Sequence, residues 1–287
     1  MKKIYSADWH ITFKKPRIRT DDYTYVQYEK IKFICELANK HNAQLIVAGD
    51  IFDKPYCPIP WLYAYMVLFQ SVKNGVYVIY GQHDLHFHNP NLERTPIGIL
   101  LAAGAVKHAG EIMDVCNFGE VLPEQRHTHL CIHAPITQYE PPFFMEEAIS
   151  AADFLQENPE WRYVVSGDFH EQHVTEIGER ILFNPGPIMR ADKGKMQMQP
   201  KVILHDDVSN EWEWIEIPIK QNVFDIDKLD ADDRKDYKDR IREFANNIDV
   251  GVKQNFRENV QLVISRMKPK DKTLEILDSI LETTNER

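Results

Sequence analysis

Leu45-Ile46-Val47-Ala48-Gly49-Asp50-Ile51-Phe52-Asp53 is the stretch on which the reading of this 287-residue chain turns. Four apolar residues followed by Gly-Asp describe a strand buried on both faces that delivers a carboxylate to the rim of a parallel sheet. The glycine permits a sharp turn, and the strand fixes where Asp50 points. A lone strand-end aspartate is more often a helix cap or a turn residue. Repetition changes that reading, because four other clusters also place polar side chains at the end of an apolar run.

Upstream, Lys3 to Ala7 predicts a short strand running into Asp8-Trp9-His10. Residues two apart share a face of an extended chain, so Asp8 and His10 are presented together. The next loop, Phe13 to Thr20, carries Lys14, Lys15, Arg17 and Arg19. It reads either as a solvated loop or as a contact to a phosphate backbone beside the site. Tyr23 to Asn39 has helical periodicity, with Val26, Ile31, Ile34, Leu37 and Ala38 on its apolar face. Past the anchor strand, a helix over Trp61 to Val72 and a strand over Val76 to Tyr80 lead directly into Gly81-Gln82-His83-Asp84. This β-α-β-α-β order predicts a parallel sheet with right-handed crossovers and ligand sites at the carboxyl ends of its strands.

Further along, a helix is expected at Ile97 to Ala103, with strands at Glu111 to Val115, Phe118 to Leu122 and Leu130 to Ile132, the last running into His133. Tyr139, Phe143 and Phe144 lie in an aromatic and proline-rich loop. They offer a stacking surface for an unpaired base or an ordinary hydrophobic patch. A helix is expected over Met145 to Leu155. The strand Arg162 to Val165 ends in Gly167-Asp168-Phe169-His170, again with two ligand-type residues two apart. Strands at Val174 to Ile177, Ile181 to Phe183, Val202 to His205 and Trp212 to Ile217 complete this part. His86 and His88 read as loop residues, and His108, His127, His129, His173 and His205 as structural or exposed. From Lys220 the composition shifts to charged amphipathic helices at Leu229 to Asn247, Phe256 to Met267 and Thr273 to Leu281. We place the boundary between residues 1–218 and 219–287.

The length fits one large domain, or a domain with an appendage, that buries roughly three quarters of its unfolded surface. A net charge of −10 argues against non-specific coating of nucleic acid. The first 218 residues hold 29 acidic against 20 basic side chains, an excess that bound divalent cations would partly cancel. No apolar run is long enough to cross a bilayer, and Asp8 interrupts the first apolar segment too early for a secretory signal. The four cysteines lack paired spacing and read as reduced thiols. Together these features predict a soluble cytoplasmic protein without a membrane role.

The motifs stand in a fixed order: Asp-x-His at 8–10, Gly-Asp-x-x-Asp at 49–53, Gly-x-His-Asp at 81–84, the strand-end His133, and Gly-x-x-His at 167–170. This set resembles the calcineurin-like metallophosphoesterase superfamily. The longer matches AGDIFD (48–53), GQHD (81–84) and NPGPIMR (184–190) are similar to the SbcD-type nuclease subunit of SMC-like ATPase–nuclease complexes and its phage recombination relatives. The resemblance spans about residues 1–217. It implies an α/β fold, a four-layer αββα sandwich, with a small mainly helical C-terminal region that caps the domain or docks a partner.

It also implies a chemistry. A phosphodiester repels nucleophiles and has a poor leaving group, and two divalent cations about 4 Å apart address both by activating water and neutralising charge in line. By resemblance, Asp50 bridges the cations. Asp8, His10 and His170 complete one position, and Gln82, His133 and Asp168 the other. His83 would stabilise the transition state or protonate the leaving oxygen, and Asp53 would hydrogen-bond to and orient that imidazole. The family pattern has Asn in place of Gln82 and His in place of Asp168. The two changes compensate in reach, and the added carboxylate favours Mn2+, or Mg2+, over Zn2+.

The implied function is a metal-dependent DNA exo- or endonuclease in end processing, repair or recombination, dimeric and partnered by an SMC-like ATPase. Two other functions fit the sequence: a phosphoesterase acting on nucleotides or small phosphodiesters, and a catalytically weakened scaffold subunit.

Overall fold

The computed structural model describes residues 1–141, 145 and 147–225. Met1–Asp225 forms one compact unit. The helices expected between residues 229 and 281, together with Phe143 and Phe144, lie outside the described residues.

The chain runs β1 (Lys2–Ser6), α1 (Tyr23–His41), β2 (Gln44–Ala48), α2 (Ile59–Gln70), β3 (Val76–Ile79), α3 (Pro96–Ala102) and β4 (Lys107–His108). There follow β5 (Asp114–Cys116), β6 (His129–Ala134), β7 (Ile136–Thr137), β8 (Ile149–Ser150), α4 (Ala151–Glu157) and β9 (Tyr163–Asp168). The last strands are β10 (His173–Ile177), β11 (Arg180–Asn184), β12 (Lys201–Asp206) and β13 (Glu211–Glu216). One sheet has the order β13-β12-β1-β2-β3-β4 and the other β10-β11-β9-β6-β5, with β7 and β8 as a separate pair. β1 to β4 are parallel, as expected of the crossover pattern, and β5, β6, β9 and β11 are parallel in the second sheet.

Alternation along the strands builds the layers. Ile4, Leu45, Val47, Val76 and Val78 face α1, α2 and α3 in one core. Their neighbours Tyr5, Ile46, Ala48, Tyr77 and Ile79 face Cys131, Tyr163, Val165 and Phe183 across the sandwich. Leu130, Ile132, Val164 and Leu182 turn the other way, onto Phe154 and Leu155 of α4. The order is therefore helices, sheet, sheet, helix, the αββα sandwich. A strand such as β2 is buried on both faces, which is why it reads as an unbroken apolar run.

Three local expectations are corrected. Residues 118–122 form no strand: Gly119 sits at φ 78° and Val121 is 88% exposed, so apolar content without alternation belongs here to a turn. Glu111 closes a 3-10 turn, and pairing begins only at Asp114. The helix expected from Met145 starts instead at Ala151, because Ser150 caps it, its hydroxyl accepting from the Asp153 N–H at 3.1 Å.

The carboxyl ends of β1, β2 and β3 meet those of β6 and β9 at one edge of the sandwich. The Ala48 carbonyl, closing β2, accepts from His133 Nδ1 of β6 at 2.8 Å.

Candidate metal centre

Asp8, His10 and Asp50 follow β1 and β2 in left-handed backbone, at φ 48°, 43° and 48°, and Asp168 closes β9 at φ 86°. Such a conformation costs a non-glycine residue about 1–3 kcal/mol and persists where packing over-determines it. Here hydrogen bonds across the edge do so. Asp8 N–H donates to the Gly49 carbonyl at 3.2 Å, and His10 N–H to the Asp50 carbonyl at 2.9 Å. Asp168 N–H donates to Asp8 Oδ1 at 3.0 Å and ties one sheet to the other.

The side chains converge. His10 Nε2 lies 3.1 Å from His170 Nε2 and 3.7 Å from Asp50 Oδ2. His133 Nε2 lies 3.4 Å from Asp50 Oδ2 and 3.9 Å from Asp168 Oδ1. Gln82 Nε2 donates to Asp168 Oδ1 at 2.6 Å. Asp8, His10 and His170 form one group able to hold a cation, and Asp8, Asp50 and His133 another. All seven residues expected to ligate metal thus meet at one place.

Two features fit this cradle to cations. Asp8 Oδ2, Asp50 Oδ2, Gln82 Oε1 and His133 Nε2 are buried without a hydrogen-bond partner. Unpaired buried acceptors are costly unless something positive lies between them. The motif glycines also keep the space open. A Cβ on Gly81 would collide with Asp50 Oδ1, one on Gly49 with the His133 ring, and one on Gly167 with the Ala48 carbonyl.

Electrostatics follows from burial. Burial, reinforced by neighbouring imidazoles and only partly offset by Asp50, lowers His10 to about 3. Burial and Lys195 lower His170 to about 4. Both rings are neutral near pH 7, as ligands must be. Burial opposes charge on His133 too, but the Asp50 carboxylate 3.4 Å from its Nε2, with Asp8, raises it to about 9. A cation would take the place of that proton.

Residues 1–172 match the family model for calcineurin-like phosphoesterases. The chain belongs to this family. Solved structures similar to it include an archaeal phosphodiesterase, 16% identical over 75% of this chain and 99% of that one, with a TM-score of 0.45. A zinc complex of Vps29 from Entamoeba histolytica is 14% identical over 76% of this chain and 100% of that one, at 0.38. Vacuolar protein sorting 29 from Cryptosporidium parvum is 16% identical over 76% and 98%, at 0.37. Among curated proteins no sequence matches the chain. Likenesses at that level decide nothing about the centre, whose chemistry has to be read from its own residues.

In this calcineurin-like phosphoesterase, His83 stands exposed beside His10, ring centroids 4.8 Å apart. Its main-chain N–H donates to Asp50 Oδ1 at 2.9 Å. Asp53 contacts the imidazole through its main chain: its carbonyl lies 3.0 Å from His83 Nδ1. Its carboxylate lies 3.9 Å from His10 Nδ1, and its N–H donates to the Ile11 carbonyl.

The basic loop divides. Lys14, Lys15 and Arg17 line a cavity of about 740 Å³ that also contains His10, His83 and His170. Arg19 does not. It is buried, holds Asp21 with two bonds of 2.9 and 2.6 Å, donates to the Arg190 carbonyl at 2.7 Å, and stacks between Tyr23 and Phe224. Arg19 is therefore a structural residue, not a phosphate contact.

Sequence reasoning passed over four residues. Lys54 adds positive charge to the cavity wall, and Lys195 lines it paired with Asp192 at 2.8 Å. Buried Gln27 donates to the Trp9 and His10 carbonyls at 2.9 and 2.8 Å and accepts from Thr12 N–H, pinning the Asp8 loop. Asp84 accepts from the N–H groups of Ile51, Phe52 and Gly81 and laces two motif loops together. Its place in Gly-x-His-Asp was the available signal. A separate group, His129, His205 and Asp207, contains buried histidines, but Lys3 already pairs with Asp207, so this cluster reads as structural.

Proposed function

We propose that the chain is a metal-dependent DNA nuclease subunit that hydrolyses phosphodiester bonds at a two-cation centre, with Mn2+ the foremost and Mg2+ the second candidate. The observation that carries this reading is the cavity beside the centre. A chain of net charge −10 gathers Lys14, Lys15, Arg17 and Lys54 around the mouth that holds His83, beside the Lys195–Asp192 pair. Such a ring suits a polyanion better than an isolated small ester, because flanking phosphates outside the reacting one find counter-charges.

Bound divalent cations would supply the Lewis acidity that activates water near neutral pH and offsets phosphate charge. The chain's own residues do the rest. Asp50, Asp8 and the neutral imidazoles of His10 and His170 would hold one position, and Gln82, His133 and Asp168 the other. The Ala48 carbonyl accepts the hydrogen bond of His133 Nδ1–H, which keeps that proton on Nδ1 and leaves Nε2 facing Asp50. With Nδ1 of His83 committed to the Asp53 carbonyl, Nε2 is the nitrogen left to give a proton to the leaving oxygen.

The SMC-like ATPase partner, the homodimer and the cytoplasmic location belong to the same reading and rest mainly on the motif resemblance. One surface feature supports a partner: α2 leaves Ile59, Tyr63 and Val67, successive turns of one face, 81%, 67% and 49% exposed. Among the described residues no helix is long and apolar enough to cross a membrane.

The test assays labelled single- and double-stranded DNA beside a chromogenic phosphodiester, with Mn2+ and with His83→Ala as control. DNA cleavage lost in the control supports the nuclease. Turnover of the small substrate alone supports a small-molecule phosphoesterase, and no turnover of either supports a scaffold.

A further inference from the structure

The cavity beside the centre has a wall that phosphate chemistry leaves unused. Its mouth is cationic, but Phe13, Tyr23, Tyr56, Pro187 and Met189 line it as well. Two of the three rings are already engaged. Phe13 leans on Trp61, with centroids 6.2 Å apart, and buried Tyr23 carries the Arg19 guanidinium 4.9 Å from its centroid. Tyr56 differs. It is 66% exposed, and among the described residues no ring or cation lies on it. Its main chain is stiff, because Tyr56 N–H donates to the Lys54 carbonyl at 2.6 Å around Pro55, and Pro58 follows Cys57. A ring on such a stretch gives up little freedom when a flat group settles on it.

Tyr56 is also within reach of the chemistry. The Asp53 carbonyl lies 3.0 Å from His83 Nδ1. Three residues of chain from Asp53 span at most roughly 11 Å, so the ring stands near the nucleotides that flank a phosphate held at His83. We propose that Tyr56 is a specificity-determining residue whose ring stacks on an unpaired nucleobase beside the scissile phosphate. The favoured substrate is then single-stranded DNA, or the unpaired end of a duplex, over fully paired DNA. The cations of the mouth hold phosphates of any strand and cannot make that distinction. The ring can, because bases inside a duplex are covered by their neighbours and must be unpaired and unstacked before a side chain can lie on them. This inference deepens the nuclease reading and rests on it.

The test measures binding of DNA to the full chain loaded with Mn2+ and carrying His83→Ala to slow cleavage. The probes are a single-stranded oligonucleotide and a blunt duplex of the same length, each with 2-aminopurine, a base whose fluorescence is quenched by stacking. The single strand should bind more tightly, with quenching. Adding Tyr56→Ala should weaken single-strand binding by about 5–100-fold and relieve the quenching, while duplex affinity changes by less than about twofold. Tyr56→Phe and Tyr56→Trp should keep the preference. Tyr63→Ala, which removes an exposed ring of α2 outside the cavity, should alter neither affinity. Equal losses on both probes in Tyr56→Ala, or no loss on either, would overturn the inference and leave the nuclease reading standing. Deoxyadenosine monophosphate competing as tightly as the oligonucleotide, with the same loss in Tyr56→Ala, would assign the ring to a free nucleotide and overturn the preference for a strand. A chain that binds neither DNA, and whose His83 parent cleaves neither, would overturn the reading and the inference together.

Discussion

Replacing Asp84 by alanine should unlace the centre more than any loss of a ligand would. Its carboxylate accepts from Ile51 N–H at 3.2 Å, Phe52 N–H at 2.9 Å and Gly81 N–H at 3.0 Å, all of them buried. A buried donor left unpaired costs about 1–3 kcal/mol, so three set an upper range of roughly 3–9 kcal/mol. Two effects reduce it. Water entering the space restores part of the bonding, and the substitution removes a carboxylate that burial and the charge of Asp50 already push up to about 7. A net loss of about 2–5 kcal/mol remains. Because Ile51 and Gly81 flank Asp50 and Gln82, Mn2+ affinity should fall as well. Asp84→Asn, which keeps one acceptor oxygen but turns an amide N–H toward backbone donors, should fall between alanine and wild type. Urea unfolding followed by tryptophan fluorescence, with calorimetric Mn2+ binding on the same samples, reads both effects. If Asp84→Ala unfolds within about 0.5 kcal/mol of wild type, the three bonds do not carry the loops and the reasoning fails.

His83→Ala should lower kcat on a phosphodiester by about 10²–10⁴ with Mn2+ binding unchanged, because the main-chain N–H to Asp50 survives the substitution; parallel kinetics and calorimetry check this, and loss of metal would contradict it. Phe224→Ala should loosen the basic loop, since its ring lies 5.2 Å from the Arg19 guanidinium and 5.3 Å from that of Arg190. Trypsin should then cut faster at Lys14 or Arg17 and KM for DNA should rise with kcat little altered, whereas Phe224→Tyr should behave like wild type. The contribution of Lys30 to stability should climb between pH 7 and 10.5, because burial, with Arg190 and Arg19 nearby, lowers its amine from 10.5 to about 7. A lowered amine pKa means that the unfolded chain binds more protons across that window, so raising pH favours the folded state. His133, raised to about 9, contributes in the opposite sense, so the check is a difference: the urea midpoint of wild type minus that of Lys30→Met should be larger at pH 9 than at pH 7, and an equal difference would contradict it.

The rim of the sandwich was legible because each ligand-type residue closes an apolar run, and parallel strands bring such ends together. Asp8, His10 and Asp50 needed only that rule, while His133, Asp168 and His170, which close strands of the second sheet, were joined to them by the motif resemblance. What failed did so for physical reasons of its own. Arg19 looks like a loop cation until Phe224, distant in sequence, is seen stacked on it. The partner of His83 is a main-chain carbonyl, which no pattern of side chains can announce. Residues 118–122 and 145–150 have apolar content without the matching period, and there a turn at Gly119 and the Ser150 cap set the local structure. Gly49 reads as a turn former, but Gly81 and Gly167 matter because a methyl group there would enter the cradle or strike the facing strand, which the sequence does not show.

Anomalous diffraction at the manganese edge, from crystals soaked to saturation in Mn2+, bears most directly on the central claim. The account predicts two peaks flanking the Asp50 carboxylate, one beside Asp8, His10 and His170 and one beside Gln82, His133 and Asp168. A map with no peak against Asp50 at saturating Mn2+ would contradict it.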